Sequence, residues 1–211
     1  MMGSSLEDVA SGIDETLIRQ PLGVFGIIAP FNFPFMVPLW FIHFAIATGN
    51  CVVFKPSPLA PIIQTKLAQL GEEAGIPAGV WNVVHGDREV VSAMLDHQDV
   101  KGVCFVGSTQ VGRDVVYKRC GATGKRAICQ CGAKNFALVM PDADVERTIT
   151  ALMTSFYGNT GQRCLANSNL VIVGEGLSAA ELDAFSARVI DAFVAAASRI
   201  TMGYGLDEAV Q

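Results

Sequence analysis

The feature that most restricts the fold of this chain is a regular alternation of two kinds of apolar run. Short β-branched stretches, VFGIIA (24–29), CVVFK (51–55), VWNVV (80–84), GVCFVG (102–107), FALVM (136–140) and NLVIV (169–173), have the length and composition of buried strands. Between them lie longer stretches with helical spacing. These are a buried helix around 36–48, one over 61–74 that stops at Gly75 and Pro77, a short one at 88–96, and one at 110–119. A fifth is capped by Asp142 or Asp144 and runs to about 157, and an alanine-rich sixth covers 178–199. Strands that alternate with helices pair in parallel through right-handed crossovers, so the expected class is α/β with a parallel sheet. A seam is expected around 131–141, where CGAKN separates two apolar runs. No internal repeat or low-complexity segment is visible.

Composition narrows the setting. With 211 residues the chain can bury one sizeable core or two small ones. Hydrophobic residues reach 51%, charged residues only 17%, and the mean hydropathy is +0.39, which is greasy for a free-standing soluble domain. The longest apolar run, FMVPLWFIHFAIATG, is broken by Pro38 and His43 and falls short of the roughly 20 residues of a membrane span. The composition is therefore read as that of a core piece of a larger protein, not of a membrane protein. A net charge of −5 and a pI near 5.1 leave no basic stripe for nucleic acid. MMGSSLEDV lacks the apolar core of a signal peptide, and MMGSS reads as appended cloning residues set aside from the fold. Cys51, Cys104, Cys120, Cys129, Cys131 and Cys164 lie mostly in or beside strand-like runs, as buried thiols in a reducing cytoplasm do. Cys129 and Cys131 form C-x-C with no second pair and no nearby histidine, which argues against zinc.

Two stretches carry chemistry. FVGSTQVGR (105–113) sets glycine, serine and threonine between a strand and a helix, where backbone N–H groups cradle phosphate. Its spacing is not the dinucleotide fingerprint G-x-G-x-x-G, so a plain capped turn is an equal reading. Gly86 with Asp87 offers a weaker turn of the same kind. GNTGQRCLANS (158–168) places one cysteine among small and polar residues. Taken by itself, a cysteine among six is more often structural than catalytic. His43 reads as packed or hydrogen-bonded within an apolar helix, His85 precedes a turn, and His97 reads as exposed; none is given a role.

PLGVFGIIAPFNFP (21–34), GNCVVFKPSP (49–58), AGIPAGVWNVVHG (74–86), FVGSTQVG (105–112), GAKN (132–135) and GQRC (161–164) follow the order and spacing of the aldehyde dehydrogenase superfamily. The chain resembles that superfamily from about residue 12 to its end. Through APFNFP, GAKN, VMPDAD and GQRC it looks like the CoA-acylating methylmalonate-semialdehyde dehydrogenase branch. With residues 1–5 set aside as appended, the resemblance implies an oligomerisation-type strand segment at 6–21. It further implies a Rossmann-like dinucleotide-binding domain over 22–133 and the N-terminal part of a second α/β catalytic domain over 134–211. It also implies that the chain is a fragment that turns over weakly or not at all alone, and that the parent is a homo-oligomer. The expected location is the cytoplasm, or the mitochondrial matrix in a eukaryote.

The resemblance further assigns roles. Cys164 matches the nucleophile whose thiolate adds to an aldehyde, giving a thiohemiacetal that loses hydride to nicotinamide. Asn32 matches the amide of the oxyanion hole, partnered by the Cys164 backbone N–H. Lys55 matches the adenosine-ribose lysine, Gly107 and Ser108 the pyrophosphate contact, and Phe31 and Ser57 complete the expected cofactor contacts. Pro58 stands where many relatives have a ribose-binding glutamate, which leaves NAD favoured over NADP less firmly. Gln130 stands in QCGAK where hydrolytic relatives carry a glutamate that activates water. An amide cannot accept that proton, so deacylation by the thiol of CoA is expected instead. Arg163 has two expected roles, favouring the thiolate and gripping a substrate carboxylate bidentately. The substrates implied are a small semialdehyde and CoA, with neither nucleic acid nor membrane as partner. The rival readings are a hydrolytic aldehyde dehydrogenase and a non-catalytic nucleotide-binding module.

Overall fold

A computed structural model describes residues 2–208 and 210. The chain divides into two compact units, Met1–Cys131 and Gly132–Gln211. Among the described residues no helix is long and apolar enough to cross a membrane.

The first unit opens with an antiparallel hairpin, β1 (Ser4–Ala10) and β2 (Ile13–Leu17), whose residues are all exposed. Ser4 pairs with Leu17 and Ser5 with Thr16, so the last two residues of MMGSS lie in this hairpin. Five strands then form one wholly parallel sheet: β3 (Val24–Ile28), β4 (Cys51–Lys55), β5 (Trp81–Val83), β6 (Val100–Gly107) and β7 (Arg126–Cys131). Their order is β5-β4-β3-β6-β7, a doubly wound arrangement in which the chain builds outward from β3 in both directions.

Alternation along β3 supplies both cores. Ile27 packs with Val37, Phe41, Ile42, Val52 and Phe54 on one face, under α1 (Met36–Leu39) and α2 (Ile42–Ala47). Ile28 packs with Met94, Leu95, Val103, Phe105 and Val116 on the other, under α4 (Arg88–Asp96) and the helical stretch after β6. Burial on both faces explains why these strands read as continuous apolar runs instead of alternating ones. The remaining long helix of this unit, α3 (Pro61–Glu73), precedes β5.

The buried helix expected around 36–48 is two helices. Phe41 is buried at φ −122° and interrupts the path between them. The outward face of α2 leaves Phe44 exposed, and His43 is exposed beside it at 4.2 Å between ring centroids, so His43 is not packed into the core. The helix expected at 110–119 is longer and irregular. It runs through α5 (Thr109–Val111), a π-helical turn (Gly112–Tyr117) and α6 (Lys118–Thr123), and ends at Gly124 with φ 69°. Cys120 lies in α6, not in a strand. Strand β7 was not expected. Its half-buried positions, Ala127, Cys129 and Cys131, are small or sulfur-bearing and give little period-2 signal.

The second unit pairs β8 (Asn135–Val139) and β9 (Asn167–Ile172) in parallel, with α7 (Val145–Tyr157) as crossover and α8 (Ala179–Ala197) after β9. Val139, Leu152, Phe185 and Val189 form its core. Asp144 caps α7 by accepting from the Arg147 N–H at 2.9 Å. Ser178 and Glu181 form a capping box on α8.

Gly107 ends β6 over a buried ring: a Cβ there would lie 2.5 Å from Phe105, which is 5% exposed and cannot move aside cheaply. Gly107→Ala is expected to lower stability by about 1–3 kcal/mol in urea melts. Gly26→Ala, with no neighbour nearer than 3.6 Å, is expected to leave the midpoint nearly unchanged.

Candidate active site

A parallel sheet sends all its strand C-termini to one edge, and in a doubly wound sheet the crevice lies where the order reverses, here beside β3 and β6. Ile28 is in register with Lys55 and with Phe105, and Gly107 with Cys131. The segments that leave this edge are Ala29–Asn32 after β3, Lys55–Ser57 at β4, Gly107–Ser108 at β6 and Gln130 near the end of β7. The topology thus carries Phe31, Asn32, Lys55, Ser57, Gly107, Ser108 and Gln130 along one rim of the first unit.

Lys55 is only 5% exposed, and its ammonium makes no hydrogen bond among the described residues. Burial pushes its ammonium below the usual lysine range, and the Asp87 carboxylate opposes that in part. A buried, unbonded cation of this kind is a site prepared for acceptor oxygens. Ser57 is buried, and its Oγ accepts from the Leu59 N–H at 3.2 Å. Ser108 caps α5 by accepting from the Val111 N–H at 3.4 Å and leaves its hydroxyl exposed. Phe31 is exposed and Asn32 half-buried.

Sequence reading missed the residue that ties this rim together. Gln64, on α3, is fully buried. Its Oε1 accepts from the Ser57 N–H at 3.1 Å and its Nε2 donates to the Pro30 carbonyl at 3.4 Å. One amide therefore joins the loop after β4 to the segment that carries Phe31 and Asn32. A glutamine just after the apolar pair Ile62 and Ile63 was the only signal.

Gln130 lies at a cavity of about 360 Å³ between β3, β6, β7 and the α1–α2 segment. Phe25, Ile27, Trp40, Phe41 and Phe44 make most of its wall. No carboxylate lines it among the described residues. Thr48 Oγ1 donates to the Phe44 carbonyl at 2.7 Å, and the Asn50 Oδ1 accepts from the Leu22 and Gly23 N–H groups at 2.8 and 3.0 Å. The remaining titratable group is Cys104, whose thiol is pushed up to about 11, first by burial and then by Cys129.

In the second unit Cys164 follows a turn of unusual hand. Asn159, Thr160 and Gly161 have φ of 54°, 52° and 70°, one left-handed turn after α7. The Arg163 Nε donates to the Gly158 carbonyl at 2.9 Å, and an Nη donates to the Thr154 carbonyl. The guanidinium fork expected to grip a carboxylate is thus partly turned inward onto the end of α7, where it satisfies two C-terminal carbonyls. It shares a groove of about 630 Å³ with Arg147, Thr150, Thr154 and Ser155. On the far side of Cys164, the Asn135 Nδ2 donates to the carbonyls of Cys164 at 2.8 Å and Ala166 at 3.0 Å. The Cys164 thiol is half-buried and free, and its N–H donates to no acceptor among the described residues.

The sequence profile of the aldehyde dehydrogenase family matches residues 1–211. The chain belongs to the aldehyde dehydrogenase family. Within that family it is 46% identical over 210 residues to malonate-semialdehyde dehydrogenase 2 of Geobacillus thermodenitrificans, covering 100% of this chain and 41% of that protein. It is 53% identical over 175 residues to malonate-semialdehyde dehydrogenase 1 of Geobacillus kaustophilus, covering 83% of this chain and 36% of that one. Among solved structures it is similar to methylmalonate-semialdehyde dehydrogenase of Oceanimonas doudoroffii, with a TM-score of 0.91 and 42% identity over 99% of this chain and 41% of that one. A Sinorhizobium meliloti protein ascribed to the same activity and solved with NAD gives a TM-score of 0.90, again at 42% identity, over 99% of this chain and 41% of that one. The chain thus spans about two fifths of the length of these family members.

Two consequences of the rim are measurable. Gln64→Leu keeps the volume but strands the Ser57 N–H and the Pro30 carbonyl, and is expected to cost about 1–3 kcal/mol in urea melts. Lys55→Met removes a cation whose charged form is disfavoured by folding, so it is expected to stabilise the chain at neutral pH. Because the folded pKa lies below the unfolded 10.5, that advantage is expected to shrink as pH rises from the folded value toward 10.5. Paired melts of Lys55→Met and the unaltered chain from pH 7 to 10.5 check it.

Proposed function

We propose that this chain carries the cofactor-binding part and the nucleophile loop of an NAD-dependent, CoA-acylating dehydrogenase of malonate and methylmalonate semialdehydes. In this reading residues 22–133 form the dinucleotide domain and 134–211 the first part of the catalytic domain. The observation that carries the acylating assignment is the setting of Gln130: an amide beside an apolar cavity lined by no carboxylate. A water molecule there would find no base to take its proton, whereas a thiol near its ordinary pKa brings a few per cent of thiolate with it.

The buried Lys55 ammonium fits the ribose hydroxyls of a dinucleotide, and Gly107 and Ser108 fit its pyrophosphate, with Phe31 and Ser57 flanking them. Those residues would hold NAD, which would supply the acceptor for the hydride lost in the oxidation. The chain's own residues do the rest. The Cys164 thiolate adds to the aldehyde carbon. The Asn32 amide and the Cys164 N–H serve as donors to the alkoxide that develops. Loss of hydride leaves a thioester on Cys164. Carbon dioxide then leaves from the acyl group, the enolate left behind takes a proton from solvent, and the CoA thiolate displaces the Cys164 thiolate to give propionyl-CoA or acetyl-CoA. Arg163, with Arg147 in the same groove, supplies cationic surface for the substrate carboxylate through the donors that the Thr154 and Gly158 carbonyls do not use. The names of the relatives support this substrate class.

The test is NADH formation from methylmalonate semialdehyde and NAD, with and without CoA, on this chain and on the product of the whole reading frame. CoA-dependent turnover is expected of the product of the whole reading frame, and weak or no turnover of this chain alone. Equal turnover without CoA would assign deacylation to water and overturn the acylating reading.

A further inference from the structure

We infer that Asn135 is a positioning residue for Cys164: its side-chain amide extends the β8 hydrogen-bond ladder back beyond the start of β9 and fixes the peptide that carries the nucleophile. The inference rests on the reading of Cys164 as the nucleophile and names what holds it.

Four observations converge. The pairing of β8 with β9 is irregular at its start, with Asn135 opposite Asn167 but Phe136 opposite Asn169. At such a bulge the backbone ladder is interrupted and local carbonyls lose their partners. The Asn135 Nδ2 meets that need with both of its hydrogens, on the carbonyls of Cys164 and Ala166. An amide has two such donors, so its donor capacity is spent on the nucleophile segment alone. From the opposite side Arg163, the preceding residue, anchors the same segment to the Gly158 and Thr154 carbonyls. Cys164 is therefore gripped on both flanks, while its own N–H donates to no acceptor among the described residues.

The consequence concerns direction. A carbonyl held at 2.8 Å sets the rotation of the peptide after Cys164, and Arg163 sets the one before it. Together they aim the Cys164 N–H and thiol in a fixed relation. That relation matters only when charge develops on an oxygen bound beside the sulfur. It does not matter for a reaction at sulfur that makes no oxyanion.

This difference supplies a test on the 211-residue chain. Ester acylation by p-nitrophenyl acetate passes through an oxyanion: the Cys164 thiolate attacks the carbonyl, a thioester forms and p-nitrophenolate leaves. Alkylation by iodoacetamide displaces iodide at a saturated carbon and forms none. Both rates are measured at Cys164 by peptide mass mapping, with Cys164→Ala as background. Asn135→Asp keeps the shape and removes the two donors; Asn135→Ser keeps one. Asn135→Asp is expected to slow acylation on the order of tenfold or more while alkylation changes less than about twofold, because displacing a catalytic donor acts on the oxyanion step. Asn135→Ser is expected to fall between. Equal slowing of both reactions in the folded Asn135→Ser variant would reduce Asn135 to a structural or accessibility role, and unchanged rates in both variants would remove it altogether. Absence of any Cys164-dependent acylation in the unaltered chain would overturn the nucleophile assignment itself, and this inference with it.

Discussion

Strand β3 is hydrogen-bonded on both sides, to β4 and to β6, and everything in the first unit depends on that pairing. Because it is central, its two faces start the two cores, through Ile27 and Ile28. Because all its neighbours are parallel to it, their C-terminal ends fall on the same rim. A single registry, Ile28 beside Lys55 and Phe105, therefore decides where the candidate cofactor residues emerge. A one-residue slip would exchange the two faces and move each loop to a different neighbour. Asn50 guards the registry from below, holding the Leu22 and Gly23 N–H groups just before β3 begins.

The two units solve the same problem, holding an irregular loop steady, with the same chemistry. Gln64 in the first and Asn135 in the second are amides that bond backbone groups of segments far away in sequence, across 34 and 29 residues. An amide suits this task because it can donate and accept without charge, and so avoids the desolvation cost that burial imposes on Lys55. The fully buried Gln64 satisfies both sides of its amide, while the half-buried Asn135 spends both of its donors on one segment.

The parts of this fold that could be read in the sequence are those dictated by short-range period and composition. The runs at 24–28, 51–55 and 81–83 and the helices at 61–73 and 88–96 repeat one burial demand over several residues, and the structure places them within a residue or two of expectation. Strand β7 escaped because an edge strand with Ala127, Cys129 and Cys131 inward needs little hydrophobic bulk. The 36–48 helix was misread because apolar composition hides a break that only the burial of Phe41 imposes. For the site, Cys164, Lys55 and Ser108 stood in recognisable local contexts. The clamps made by Gln64, Asn135 and Arg163 did not, since nothing local distinguishes a glutamine or asparagine that bonds a distant carbonyl from one that bonds water.

The left-handed turn before Cys164 has a thermodynamic meaning. Two of its three residues are not glycine, and one is β-branched, so each pays roughly 1–2 kcal/mol for its backbone angle. Glycines there would be easier to fold but would leave the turn supple. Thr160 instead donates to the Asn159 carbonyl at 2.7 Å and accepts from the Gln162 Nε2 at 2.7 Å, closing the turn with its own side chain. Rigidity is thus built in once, at folding, and the entropy of ordering this loop is already lost before any ligand arrives.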